Sequence, residues 1–146
     1  MFINDIKNIL ESYTNIPVYY PDDNITDVNP FIFGILEHSK TRFEDNVYFF
    51  TYELSYYLPL GEALFNFEEA IQNLIIAIGN IIYHKIGAKI LEINNYRTEE
   101  QDIRVKIISF TFEVIQRDDY LINKDIFSID ATINNYINNF RDKIGI

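Results

Sequence analysis

The alternation of apolar and polar positions is most regular in residues 47–58, VYFFTYELSYYL, and predicts a long β-strand with two unlike faces. One face is apolar throughout and consists of Tyr48, Phe50, Tyr52, Leu54, Tyr56 and Leu58. The other face is half polar and consists of Val47, Phe49, Thr51, Glu53, Ser55 and Tyr57. We expect the first face to pack on a core and the second to meet water or a partner.

Residues 102–116 repeat this two-faced pattern. Ile108, Phe110, Phe112 and Val114 fall on one face, and Ser109, Thr111 and Glu113 fall on the other. With residues 89–97 they form a predicted hairpin, whose turn is the polar segment 98–101. The matching patterns predict that the two long strands share a sheet, with a helix on its apolar side and its polar side left for solvent or a neighbour.

Helical periodicity appears in three segments. Residues 63–86 predict the main helix, because apolar residues recur along one wide stripe, acids lie at its start and Gly87 suits the position just past its end. Residues 4–13 predict a short N-terminal helix. A second stripe, from Ile129 to Ile144, predicts a C-terminal helix; its other face is rich in asparagine, a poor helix former, so this helix needs to dock on something to persist.

The remaining signals complete a prediction of an α+β fold, a mainly antiparallel sheet with a long helix packed on one face and short N-terminal and C-terminal helices. Residues 18–20, between two prolines, predict a short edge strand, and residues 31–36 predict a further strand. The polar residues 38–46 predict a turn region or a flexible hairpin tip. We expect residues 1–116 to form the α+β domain and residues 117–146 a C-terminal extension with an amphipathic helix.

The composition excludes several functional classes. Cysteine is absent, which excludes disulfides, thiol nucleophiles and thiolate metal sites. Asp and Glu number 22 against 12 Lys and Arg, for a formal charge of −10, and Arg104 with Lys106 is too small a basic cluster for duplex binding. The first ten residues lack the features of a signal peptide, and the longest apolar run is too short to cross a bilayer. We therefore expect a soluble protein that is intracellular at synthesis.

Signals for catalysis are weak. The loop of residues 22–27 concentrates oxygen ligands but lacks the glycine and distal glutamate of a calcium-binding loop. His38 and His84 have no partner at metal-ligand spacing. Glu53 and Glu113 could approach each other across the sheet, an arrangement suited to acid/base work, although two solvated carboxylates on adjacent strands are the simpler explanation. The sequence predicts no enzyme, no metal and no cofactor.

Signals for interaction are stronger. Ile76 and Tyr83 lie on one line of the main helix, well away from its core stripe, where a monomer has no evident use for them. The candidate interface residues on the helices and on the polar sheet face are Ile76, Tyr83, Tyr57, Glu53, Thr111, Glu113, Tyr136 and Phe140.

The order of elements resembles that of the tail terminator, or tail-completion, proteins of long-tailed bacteriophages. The resemblance covers about residues 2–116 and consists of a short helix, the segment IPVYYP, the strand VYFFTYELSYYL, a long helix and the hairpin KILEINNYR to DIRVKIISFTFEVI. It implies a non-enzymatic virion subunit that forms a ring, typically six-fold, on the tail tube protein at the head-tail junction. Such a ring stops tube polymerisation and offers its other face to the head-tail connector protein, with DNA only passing through its lumen, and it is assembled in the host cytoplasm without a membrane.

Three alternatives remain open. A head-tail connector or head-completion subunit is also small and ring-forming. A small hydrolase or ligand-binding domain would need an apolar pocket between sheet and helix, with Glu53 or Glu113 near a histidine. A phage-encoded inhibitor or adaptor would act as a monomer.

Overall fold

A five-stranded sheet with helices on one side forms the protein in this computed structural model, which describes residues 1–24, 32–59, 67–100, 103–116 and 127–145. The elements in chain order are α1 (Ile3–Thr14), β1 (Val18–Tyr19), β2 (Phe33–Glu44), β3 (Val47–Pro59), α2 (Phe67–Asn80), which continues into a π-helical turn (Ile81–Ile86), β4 (Lys89–Glu100), β5 (Ile103–Gln116) and α3 (Phe127–Ile144). The strand order is β1-β2-β3-β5-β4. Among the described strands the pairing of β1 with β2 is parallel and the other three pairings are antiparallel, so the predicted α+β class with a mainly antiparallel sheet is confirmed.

The two long strands β3 and β5 are neighbours at the centre of the sheet, as predicted. Tyr52 lies opposite Phe112 on the helix side, and Glu53 lies opposite Thr111 on the other side. Leu54 and Phe110 are fully buried. This register puts both apolar faces into one core because side chains alternate between the two faces of a strand.

For residues 38–46 the prediction of a turn region is wrong, and the alternative, a hairpin tip, is confirmed. β2 continues to Glu44, and the turn to β3 consists only of Asp45 and Asn46, both in the left-handed region with φ values of 52° and 63°. A two-residue hairpin turn favours such residues because its backbone needs positive φ at both positions. The far half of β2 is exposed on both sides, so it lacks the apolar alternation by which strands are recognised.

The helix ends follow the sequence signals closely. α1 is one residue longer at each end than predicted, and it begins where the Phe2 backbone N–H donates to the Asp5 carboxylate at 3.2 Å. The main helix stops at Gly87, which has φ 74° and whose left-handed conformation ends the π-helical turn. Residues 63–66 of the predicted main helix lie outside the described residues.

The C-terminal helix docks on its own chain. Ile133, Ile137, Phe140 and Ile144 belong to the same core cluster as the buried residues of α2. Polar contacts hold its two ends, since the Asp130 carboxylate pairs with the Lys85 ammonium at 2.5 Å and the Lys143 ammonium pairs with Glu69 at 2.7 Å. The support that this asparagine-rich helix needs therefore comes from α2 and the π-helical turn, and α3 shares the core formed by residues 1–116.

Candidate functional site

One flank of the molecule is formed by α2 lying along the edge strand β4. The Arg97 guanidinium donates to the Glu68 carboxylate at 3.0 Å near one end of the pair of elements. Towards the other end, Gly79 of α2 lies close to Ile90 of β4. A Cβ atom placed on this glycine would be 3.9 Å from the Ile90 side chain, an ordinary van der Waals distance. These contacts place the outer side of α2 and the strand β4 next to each other.

Four large apolar side chains are exposed on this flank. Ile76 is 41% exposed and Tyr83 61% exposed on α2 and the π-helical turn, while Leu91 is 48% and Ile93 39% exposed on β4. We call these four residues the α2/β4 flank. The predicted exposure of Ile76 and Tyr83 is confirmed. Leu91 and Ile93 were missed by sequence reasoning, because an apolar strand residue is expected in the core unless its strand is known to be at the edge.

The strand next to this flank has an unpaired side. Within the described residues β4 pairs with β5 alone and ends the sheet, and its 12 residues make a long edge. A long edge strand presents free backbone N–H and C=O groups, and exposed apolar side chains beside it favour pairing with another chain. The flank therefore has the properties of a protein-protein contact surface.

The sheet side opposite the helices, here called the open face, is the second candidate surface. It carries Tyr57, Glu53, Thr111 and Glu113, the four candidate residues predicted for it. Glu53 is exposed, and Thr111 and Glu113 are half-buried. Glu53 lies opposite Glu37 and Thr111, whereas Glu113 lies opposite Thr51, so the two predicted carboxylates are diagonal neighbours and do not face each other directly.

A polar depression of about 470 Å³ lies on the open face over β3, β5 and β4. Its lining is mostly hydroxyl, amide and carboxylate groups, namely Glu53, Ser55, Glu92, Asn94, Asn95, Tyr96, Ser109 and Thr111. The Ser55 and Ser109 hydroxyls hydrogen-bond to each other at 2.9 Å across its floor. Such a lining is well hydrated, and it is not the apolar pocket between sheet and helix that a hydrolase or ligand-binding domain was expected to have.

The two ends of the open face differ in chemistry. At one end Tyr57 stacks on Phe33 with ring centroids 5.0 Å apart, and burial, with a smaller contribution from Tyr96, raises the pKa of Tyr57 above its usual 10.0. At the other end the Arg42 guanidinium lies 3.4 Å from the Glu113 carboxylate. Carboxylates lie along the face between these ends, so its middle is polar and acidic.

The predicted interface role of Phe140 on α3 needs correction, whereas that of Tyr136 stays a prediction. Phe140 is fully buried and belongs to the core cluster, so it offers no surface to a partner. Tyr136 is half-buried and packs against the same core. Both belong to the helix face that docks on this chain, and the helical stripe in the sequence could not distinguish docking within the chain from docking on a neighbour.

The predicted histidine and metal candidates do not converge on the open face. His38 contacts the Thr41 hydroxyl at 2.7 Å and the rings of Phe50 and Tyr52 on the other side of the sheet, and His84 packs against the Tyr83 ring. In the acidic loop, residues 25–27 lie outside the described residues. No group of three or more potential metal ligands occurs among the residues that are described.

Comparison of the sequence with protein-family models and with curated proteins gives no match. None of the helices in the described ranges is long and apolar enough to cross a membrane. The function has to be inferred from the two surfaces described above.

Proposed function

We propose that this chain is a structural subunit of a long-tailed bacteriophage, a tail terminator that forms a ring on the end of the tail tube. In this role the subunits associate with one another, cap the tube, stop its polymerisation and present the opposite side of the ring to the head-tail connector. The protein then acts by assembly in the virion, and it has no catalytic step.

The α2/β4 flank is the observation that carries this proposal. Four exposed apolar side chains lie on α2, on the π-helical turn and on β4, and the outer side of this 12-residue strand is unpaired among the described residues. Burying such side chains would contribute about 25 cal/mol for each Å² removed from water. A ring-forming subunit needs a surface of this kind to contact the next subunit.

The open face supports the same proposal through its polarity. The helices cover the other side of the sheet, so this side is free to face a wet channel, and its centre carries Glu37, Glu53 and Glu92. With a formal charge of −10 on each chain, a ring would repel the phosphates of passing DNA rather than bind them. Passage without retention is the behaviour that a head-tail junction requires.

The test is the native mass of the purified chain over a range of concentrations, with and without its candidate tail tube protein. A closed ring, or a monomer that becomes a ring on tube ends, is the expected result. A monomer that stays a monomer and ignores the tube protein would contradict the proposal. Binding to connector protein but not to tube protein would instead identify the neighbouring class, a head-tail connector subunit.

Ile76→Asp is the matching variant. It places a charge in the α2/β4 flank without touching the core. We therefore expect the variant to fold, but to assemble only at a protein concentration about tenfold or more above that of the wild type. Asn138→Asp adds the same charge to the exposed side of α3 and serves as the control. Normal assembly of Ile76→Asp would place the contact surface elsewhere.

A further inference from the structure

The sheet has two outer edges whose backbone groups are unpaired within the described residues. One is the outer side of β4. The other is the outer side of β2 beyond Ile35, because β1 covers β2 only at Gly34 and Ile35. Residues 37–44 of β2 and residues 91–97 of β4 are exposed. Both edges are therefore free to accept another strand.

The polarity of the strands makes these two edges compatible with each other. β2, β3, β5 and β4 alternate in direction along the sheet, so β2 and β4 run in opposite directions at its two sides. If a second copy is placed beside the first with its helices on the same side, β4 of one copy meets β2 of the next in antiparallel orientation. This is the pairing already used by β2, β3, β5 and β4 within the chain.

Each edge carries a charge that the other edge can pair with, Lys40 on β2 and Glu92 on β4, and Arg42 of β2 already pairs with Glu44 and Glu113 of its own chain. Lys40 and Arg42 of β2 point to the open face, because they lie opposite Thr51 and Phe49. Glu92 of β4 points to the same face, because it lies opposite Thr111. Neither Lys40 nor Glu92 forms an ion pair with a described residue. Opposite charges on facing strands stabilise a pairing, and a chain of charge −10 needs such local attraction to approach its own copy.

The apolar side chains at the two edges agree with the same arrangement. Phe43 of β2 is 58% exposed on the helix side of the sheet, since it lies opposite Tyr48, and Ile93 of β4 is exposed on that side, since it lies opposite Phe110. When Glu92 of one copy faces Arg42 of the next, the antiparallel register brings Phe43 diagonally next to Ile93 on the helix side of the sheet. Their burial adds an apolar contact next to the charged one.

We propose that copies of this chain join head to tail through their sheets, with β4 of one copy pairing with β2 of the next and Glu92 facing Lys40 and Arg42. The interface is heterologous, so repeating it produces a ring when the rotation between copies closes and a filament when it does not. The inference rests on the proposed self-assembly and names the surfaces that carry it.

Thiol cross-linking tests this interface cleanly because the chain has no cysteine of its own. In the full chain, Lys40→Cys combined with Glu92→Cys is treated with a short bismaleimide under the conditions of the native-mass measurement. We expect covalent chains longer than a dimer on a denaturing gel. Lys40→Cys combined with Asn94→Cys is the second pair, because Lys40 lies directly opposite Asn94 when Glu92 faces Arg42.

The single-cysteine variants are the controls. Each carries one thiol, so neither can form a chain longer than a dimer. A strong dimer from Glu92→Cys alone would indicate a two-fold contact between two β4 strands and overturn the head-to-tail pairing. A native ring without covalent chains from either double variant would overturn this interface and leave the tail-terminator proposal standing, whereas a monomer with no cross-links, with or without tube protein, would overturn both.

Discussion

At the scale of single residues, the least satisfied group in the described core is the hydroxyl of Tyr56. The side chain is fully buried, and its hydroxyl has no hydrogen-bond partner among the described residues. Its ring lies 3.0 Å from the position that a Cβ on Gly34 would take, which explains why the neighbouring strand has glycine there. Burial of an unpaired hydroxyl costs free energy, so Tyr56 contributes to stability through its ring alone.

We expect Tyr56→Phe to leave the free energy of unfolding unchanged or to raise it by about 1 kcal/mol, because the ring is kept and the unpaired hydroxyl is removed. Urea denaturation measures the change. Tyr48→Phe, which removes a hydroxyl from a half-exposed ring, is the control and should change little. A loss of stability in Tyr56→Phe would mean that the hydroxyl has a partner.

Tyr56 also predicts how stability depends on alkaline pH. Burial, and secondarily the carboxylate of Glu11, raises the pKa of Tyr56 far above the usual 10.0. The folded state keeps the proton while the unfolded state loses it, so this contribution to stability is complete below pH 10 and falls as the pH rises further. As the pH rises through 10, the denaturation midpoint should fall less steeply for Tyr56→Phe than for the wild type. An equal fall of the midpoint in both proteins would contradict this role of Tyr56.

At the scale of elements, a polar contact joins α1, the π-helical turn and α3. The Asp130 carboxylate accepts a hydrogen bond from the Tyr13 hydroxyl at 2.9 Å and pairs with the Lys85 ammonium at 2.5 Å. The hydrogen bond to Lys85 lowers the pKa of Asp130. Burial alone would lower the pKa of Lys85, but its hydrogen bonds to Asp130 and Tyr13 outweigh burial and raise that pKa.

We expect Asp130→Asn to lower the free energy of unfolding by about 1 kcal/mol or less, because the carboxylate is partly exposed and asparagine can still accept from Tyr13. The contribution of this carboxylate is present above its usual pKa of 3.8 and lost as the pH falls, so the variant should be less sensitive to acid than the wild type. Unfolding curves at neutral and acidic pH test both points.

The matched control for Asp130→Asn is Glu69→Gln, which removes the carboxylate that pairs with Lys143 at the other end of α3. The Glu69 side chain is 61% exposed, so solvent screens this pair more strongly. A larger effect from Glu69→Gln would show that the docking of α3 depends on its C-terminal end.

The rotation of α2 gives a further test at this scale. Ile78 is fully buried, so Ile78→Asp should lower the free energy of unfolding by more than about 4 kcal/mol and leave little cooperative folding. Ile76→Asp, two residues away on the exposed side, should melt like the wild type. Thermal unfolding followed by circular dichroism compares them, and a soluble, cooperatively melting Ile78→Asp would mean that the helix is rotated from its position here.

Sequence periodicity predicted the elements wherever an element has one buried face and one exposed face. It found α2 and the strands β3 and β5, together with the exposed positions Ile76 and Tyr83. It missed the far half of β2. This part of the strand extends past the helices and has no buried face, so its sequence shows no alternation of apolar and polar residues. It also misplaced Phe140, since an apolar stripe shows that a helix face is buried but not what buries it.

At the scale of the whole molecule, α3 completes the core. Ile133, Ile137, Phe140 and Ile144 are all buried against α2 and its neighbours. We expect deletion of residues 127–146 to expose this apolar surface and to abolish cooperative unfolding. The shorter deletion of residues 145–146, which spares the helix, is the control. A stable, cooperatively melting protein without α3 would show that the remaining residues 1–126 fold without it.

The sequence by itself determined the fold class, the central pair of strands with their buried and polar faces, and the end of the main helix at Gly87. These features follow from local patterns, because alternation, helical periodicity and positive-φ residues act within a few positions of the chain. The tertiary structure alone decided which strands lie at the sheet edges, that α3 docks on its own chain, and that Leu91 and Ile93 lie exposed beside Ile76 and Tyr83. Those outcomes depend on contacts between residues far apart in the sequence, and a local sequence pattern does not predict such contacts.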